Sequence, residues 1–390
     1  MKRATAIRTA ATTTALILMA GFAYAGDWSI QAVLDSEVNI AENRALRENS
    51  LGASFAHISK TQVDFDYTMP DGNFNISTDL TAYHYFGEAK ADGKDDYLPH
   101  LGMSWLKNGK TDSLKLSADY RFQNVTLQDI IETPLPIAEP LFVPVDTVNE
   151  NLSAGLIWTH KIDSRNTLTF DNLISTSRYN NPVGIDNTFI TSSLAWERQL
   201  TKRSTGTLTV GIDWLNQSDV AGTDRFVHSI DGELVTRLTK RLTATVGAGI
   251  NYTDTDNIGR DPNPTLSGDL SFALDYNLKT TKIGFAADYG LQQGALGDLQ
   301  NQLNTSLTVT KTINDRSKIS VTARVIMSED EFGGGLGSDF SFFFAPTYSL
   351  ALTDEWNLKA GYRFVYQDAI TTTNSNTVFV SMARNFTVLP

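Results

Sequence analysis

The sequence predicts an all-β fold, a transmembrane antiparallel up-and-down β-barrel of about 18 strands. Three observations predict it. Apolar and polar residues alternate with a period of two, the alternating runs extend over about 10 to 14 residues, and short turns take turns with longer polar loops along the chain.

The first 25 residues are of a different kind. Lys2, Arg3 and Arg8 precede an apolar run from Ala15 to Ala20, and Ala23-Tyr24-Ala25 stands before Gly26. Basic, apolar, small-x-small is the order of a secretory signal, so residues 1–25 are expected to be a cleaved signal peptide and residues 26–390 a single barrel domain. The apolar run is shorter than the roughly 18 residues of a spanning helix, so the mature chain must meet a membrane through its fold. The sequence contains no cysteine, hence no disulfide and no lipid anchor on one. Losing Lys2, Arg3 and Arg8 takes the basic residues from 32 to 29 against 44 acidic ones, so the net charge goes from −12 to −15. That balance excludes nucleic acid as a partner.

Alternation is plainest where Trp356, Leu358, Ala360, Tyr362, Phe364 and Tyr366 interleave with Asn357, Lys359, Gly361, Arg363 and Gln367. Leu266 to Leu278 and Ile283 to Leu291 repeat it, and segments of this kind recur from Trp28 to Phe386. A soluble strand is usually about 5 or 6 residues, so these runs are too long for a sandwich. Turns are expected at residues 69–72, 108–110, 162–165, 201–203, 240–241, 279–281, 314–316 and 353–355. Loops are expected near 42–49, 87–96, 124–149, 179–186, 219–223, 255–263, 293–298, 329–338 and 369–375. Eight turns and nine loops join eighteen strands, and the even number leaves both chain ends on the turn side. Ser50 to Thr68 reads as one long strand because Leu51, Phe55, Val63, Phe65 and Tyr67 keep one parity; a turn at Ser59-Lys60-Thr61 would add a strand.

The apolar face must look to lipid and the polar face to a lumen, and barrels of 16 to 18 strands leave an aqueous channel. Trp105, Trp158, Trp196, Trp214, Trp356, Tyr120 and Tyr252 sit near strand ends on the outward parity, as members of two interfacial girdles. In the last strand Val378, Val380, Met382, Arg384 and Phe386 share one parity. An outward aromatic there resembles the signal by which outer-membrane barrels are recognised for assembly, although Thr387-Val388-Leu389-Pro390 follow where those chains usually stop. The whole mature chain thus resembles outer-membrane porins, through pattern rather than through a motif. The resemblance implies a place in the bacterial outer membrane among its lipid and lipopolysaccharide, insertion by the barrel-assembly machinery, passive diffusion of small polar solutes and no cofactor. Solute identity and oligomeric state stay open. Trp28-Ser29-Ile30 and Asp35-Ser36-Glu37-Val38-Asn39-Ile40 are also similar to the opening of barrel porins associated with exopolysaccharide operons. That narrower likeness implies the alternative of a structural or export-associated barrel.

Enzymatic signals are sparse. His57-Ile58-Ser59 puts a histidine and a serine on one strand face, as in lipid A deacylases, but those are much smaller barrels. The plain reading is a strand histidine near an interface, with a lipid-modifying enzyme as the remaining alternative. His100, on the inward parity with Gly102 and Ser104, reads as a polar wall group. His84, His160 and His228 have no meaningful partner spacing, and there is no nucleophile elbow, zinc-type pair or phosphate loop. Glu331 to Gly337 lacks the spacing of a calcium loop, and Asp254, Asp256 and Asp261 read as solvated loop, with cation bridging to lipopolysaccharide as a lesser alternative. No residue is assigned to catalysis, a cofactor or a metal.

The inward parity carries Lys60, Lys115, Arg121, Lys161, Arg225, Arg237, Lys282, Arg324, Lys359 and Arg363. Against them stand Asp64, Asp66, Asp119, Asp171, Glu197, Asp213, Asp231, Glu233, Asp269, Asp275 and Asp288. A nearly balanced wall suits small polar solutes better than strong ion selection. The loop at 124–149 holds Pro134, Pro136, Pro140 and Pro144 among apolar residues, with Asp129, Glu132, Glu139 and Asp146. In trimeric general porins the loop at this ordinal position folds into the barrel. By that resemblance Glu132 and Glu139 line the pore across from Lys115, Arg121, Arg324, Lys359 and Arg363; a surface flap or subunit contact is the alternative.

Overall fold

A computed structural model describes residues 27–42, 53–86, 96–124, 148–179, 186–217, 223–257, 264–293, 299–330, 339–368 and 372–389. The expected signal peptide, most of the 124–149 loop with Glu132 and Glu139, the 331–337 segment and Asp261 lie outside the described residues.

Eighteen strands of 13 to 18 residues make up the fold. They are β1 (Asp27–Glu42), β2 (Ala53–Met69), β3 (Gly72–Phe86), β4 (Asp96–Asn108), β5 (Asp112–Asn124), β6 (Val148–Lys161), β7 (Asn166–Tyr179), β8 (Asn187–Gln199) and β9 (Ser204–Gln217). Then follow β10 (Thr223–Arg237), β11 (Leu242–Asn257), β12 (Thr265–Asn277), β13 (Thr281–Gln293), β14 (Leu299–Asn314), β15 (Ser317–Asp330), β16 (Asp339–Ala351), β17 (Trp356–Asp368) and β18 (Thr372–Leu389). Each pairs antiparallel with its chain neighbours, and β1 pairs with β18, so the sheet closes. Closure satisfies the backbone groups that an open edge would leave bare in hydrocarbon. The stretch around Ser59 is unbroken strand, and β18 runs on through Thr387 to Leu389.

Register fixes the two faces. Leu358↔Met382, Tyr362↔Val378, Val38↔Val380 and Ile40↔Val378 are direct partners; Val38, Ile40, Val378, Val380 and Met382 are exposed, and Leu358 and Tyr362 are partly so. They form the lipid belt, with Leu34, Leu208, Val210, Ile230, Ile250 and Leu270 also exposed on it. All seven aromatic residues expected in the girdles fall on this outward face. Trp28 joins them at the turn end, its ring 4.9 Å from Phe65 and 4.3 Å from Tyr67.

Turn chemistry explains why the hairpins close where they do. At Asp163, Thr201, Thr239 and Thr353 the side-chain oxygen accepts the backbone N–H groups two and three residues on. Ile162, Leu200 and Leu352, one residue earlier, each donate a backbone bond back across the turn, at 3.0, 3.0 and 2.8 Å. Asp and Thr are suited to this because a short polar side chain imitates the backbone of the next turn position.

Two seams interrupt the ladder at the loop end. Pairing of β4 with β5 stops at His100↔Arg121, just short of Pro99, which has no N–H to give. Pairing of β12 with β13 stops at Leu270↔Tyr289 although both strands continue. There the Leu291 N–H donates instead to Asp269 Oδ1 at 3.2 Å, and Leu291, like Phe189, packs against the buried pair Leu215 and Val227.

Candidate functional site

The closed sheet surrounds a lumen, and the inner parity of every strand faces it. All twenty-one charged residues expected on the inner wall share that parity through the register. Inner residues are packed at the loop end and open at the turn end. Asn39, Thr253 and Gln302 are 1%, 1% and 0% exposed, whereas Lys115, Lys161, Lys282 and Lys359 are exposed.

The candidate bases do not form one group. Lys115 and Arg121 stand on β5; Arg324, Lys359 and Arg363 stand on β15 and β17. Arg363 is held within the wall. Its Nη1 and Nη2 donate to the Glu37 carboxylate at 3.1 and 3.2 Å, and its guanidinium lies 4.0 Å over the Phe379 ring. Asn39 adds a 2.9 Å bond to Glu37. Arg121 lies 3.7 Å from Asp119.

Inward carboxylates absent from the sequence reading include Asp27, Asp35, Glu37 and Asp79, and the inward base Lys318 was absent with them. The signal was available, since Leu34, Val38 and Ile40 put odd residues of β1 inside and Leu80 does the same for β3. With them the wall is more acidic than expected. Asp79 belongs to a network in which His100 Nδ1 lies 2.6 Å from Asp79 Oδ2 and Nε2 lies 2.5 Å from Asp119 Oδ2. A second acidic group, Asp231, Glu233, Asp269 and Asp288, lines a recess of about 400 Å³ on β10 to β13. Asn251 donates to Asp269 beside it. Among the described residues no group of three or more His, Asp or Glu is arranged to hold a metal ion.

His57 faces lipid, not the lumen. Its Nε2 is 2.9 Å from the Ser36 hydroxyl and 3.4 Å from that of Ser59, and its ring stacks on His84 at 6.4 Å. Among the described residues no carboxylate orients this imidazole, which leaves out the third group of a hydrolytic triad. His160 is tied to Asp112 at 2.7 Å and stacked on Trp158 near the turns.

A closed eighteen-strand wall with a lipid belt outside and a charged lining inside invites comparison with known barrels. A BenF-like porin from Pseudomonas fluorescens Pf-5 superposes with a TM-score of 0.55 at 10% identity, over 93% of this chain and 99% of that one. The fold is that of the outer-membrane porins. OpdL of Pseudomonas aeruginosa gives 0.53 at 12% identity, and OpdK of the same species, solved with vanillate, gives 0.52 at 8%. Each covers 93% of this chain and 99% of the porin. No family model matches the sequence, and no curated protein does. The narrower likeness to porins of exopolysaccharide operons finds no support among these structures.

Proposed function

We propose that this chain is an outer-membrane channel for the passive diffusion of small polar solutes. The observation that carries the proposal is the pairing of two faces on one closed wall, apolar outside and lined with charged and polar side chains inside. Eighteen strands enclose more cross-section than side chains fill, so water follows the polar lining. OpdK, of the same fold, was solved with vanillate, which agrees with solutes of that size. In this reading residues 1–25 direct export and are removed, the barrel-assembly machinery inserts the domain, and lipopolysaccharide surrounds its loop end. Lys115, Arg121, Arg324, Lys359 and Arg363 line the pore from the wall, and Glu132 and Glu139 contribute carboxylates from the long loop.

Purified protein added to a planar bilayer is expected to give stepwise ohmic conductance. Folded, inserted protein that stays silent would overturn the channel and favour a structural or export-associated barrel. In a conducting channel, changing Glu132 and Glu139 to Gln is expected to move the reversal potential toward anions; no movement removes those two residues from the pore.

A further inference from the structure

We infer that His100 is a specificity-determining residue of the lumen: an imidazolium that holds two wall carboxylates together and sets the charge this sector shows to a passing ion. The inference rests on the channel reading. Its geometry comes from three neighbouring strands. Asp79 on β3 is the direct partner of His100 on β4, and Asp119 on β5 is the partner of Gly102, one inward position away from His100. Gly102 leaves the space that Asp119 crosses. A Cβ there would already lie 3.4 Å from Asp119 Oδ2 and 3.5 Å from His100 Nε2, so a larger side chain would fill the path.

The two ring nitrogens decide the charge. A neutral imidazole has one N–H and one lone pair, so it can donate to one carboxylate while its lone pair would face the oxygens of the other. His100 meets carboxylate oxygens at 2.6 Å from Nδ1 and 2.5 Å from Nε2, the lengths of charge-assisted bonds. Both nitrogens therefore carry hydrogen. Lys60 Nζ lies 3.9 Å from Asp79, and Arg121 Nη2 lies 3.7 Å from Asp119. From β2 to β5 the charges run Lys60, Asp79, His100, Asp119, Arg121, in strictly alternating sign, and the row carries one net positive charge. Without the histidine charge it carries none, and two carboxylates lose the donor they share. The recess on β10 to β13 contributes only carboxylates, whereas the sign of this row depends on the His100 charge.

Two measurements test this. In protein labelled with ¹⁵N-histidine, the His100 signals, identified by their loss in His100→Gln, are expected in the doubly protonated range at neutral pH. In a salt gradient across a bilayer at about 0.1 M ionic strength, His100→Gln is expected to raise the cation-to-anion permeability ratio roughly two- to threefold, the combined and opposite effects of one salt-screened elementary charge on a cation and an anion about 7 Å away. A neutral-imidazole signature overturns the inference, as does a conducting His100→Gln channel with an unchanged reversal potential. Should His100→Gln not fold, Asp119→Asn takes its place: it identifies the signals by their shift and is expected to lower the same ratio. Wild-type protein that does not conduct defeats the channel reading, while the nitrogen shifts still report on the ion network.

Discussion

Arg363 shows what alternation can and cannot say about a single residue. Its inward position follows from Tyr362 and Phe364 on either side. Its partner does not, because Glu37 is 326 residues away and meets it only through closure of the barrel. The pair is mostly withdrawn from water, with 11% and 14% of the two side chains exposed, and it rests on the Phe379 ring. Phe379 in turn lies flat because position 361 is glycine. A Cβ on Gly361 would stand 2.6 Å from that ring and 2.7 Å from the Pro346 carbonyl oxygen. Gly361→Ala is therefore expected to push Phe379 aside and lower stability by about 1 to 3 kcal/mol, the usual cost of overpacking. Glu37→Gln keeps the shape but removes the charge that two Arg363 N–H groups bind, at a cost of about 1.5 to 3 kcal/mol. Urea midpoints in lipid vesicles measure both, and a Glu37→Gln barrel as stable as the parent would show that Arg363 does not depend on the pair.

Elements were legible because their signals are local. The eight hairpin turns lie where Gly, Asn, Asp and Thr interrupt the alternation, and the parity of each strand follows from its own residues. Of the two seams, Pro99 marks the first in the sequence, but the β12–β13 seam was not legible, since a missing ladder there is a property of two strands and their neighbours. At the β6–β7 turn the local signal has a pH dependence. The backbone N–H of Arg165, then the side chain and N–H of Asn166, hold the Asp163 carboxyl below its ordinary range. A carboxyl lowered on folding stabilises above its unfolded value of about 3.9, and the contribution is lost as pH falls through the folded one. Amide exchange at Arg165 and Asn166 should therefore quicken, relative to the intrinsic rate, on acidification below about pH 4. In Asp163→Ala that added step should vanish. On the strand that follows the last turn, Tyr362→Arg puts a charge in the lipid belt at the middle of β17 and is expected to cost about 2 to 4 kcal/mol. An arginine tolerated there as well as one at Lys359 would reverse the two faces.

At the scale of the molecule, an even number of strands with both ends on the turn side requires the first and last strands to meet antiparallel. Their register is another matter. Nothing near either end states which residue of β18 lies opposite which of β1, and a slip of one would send the lipid belt of a whole strand into the lumen. The structure sets Val38 opposite Val380, both facing lipid at 54% and 49% exposure, with one irregularity between Ile30 and Gln31 that shifts the end of the ladder without touching its centre. Direct antiparallel partners have Cα atoms about 4.5 to 5.5 Å apart, within the span of a disulfide. The sequence contains no cysteine, so any bond formed belongs to introduced residues. Val38→Cys with Val380→Cys is expected to oxidise within a single chain once the barrel has folded. The unfolded product should then migrate as a large loop, faster than its reduced form on a denaturing gel. Cysteines at 38 and 379, or at 38 and 381, point to opposite faces and should not join. Efficient bonding of either of those pairs, and none between 38 and 380, would mean that the barrel closes in a different register, with β1 turned inside out against its neighbour.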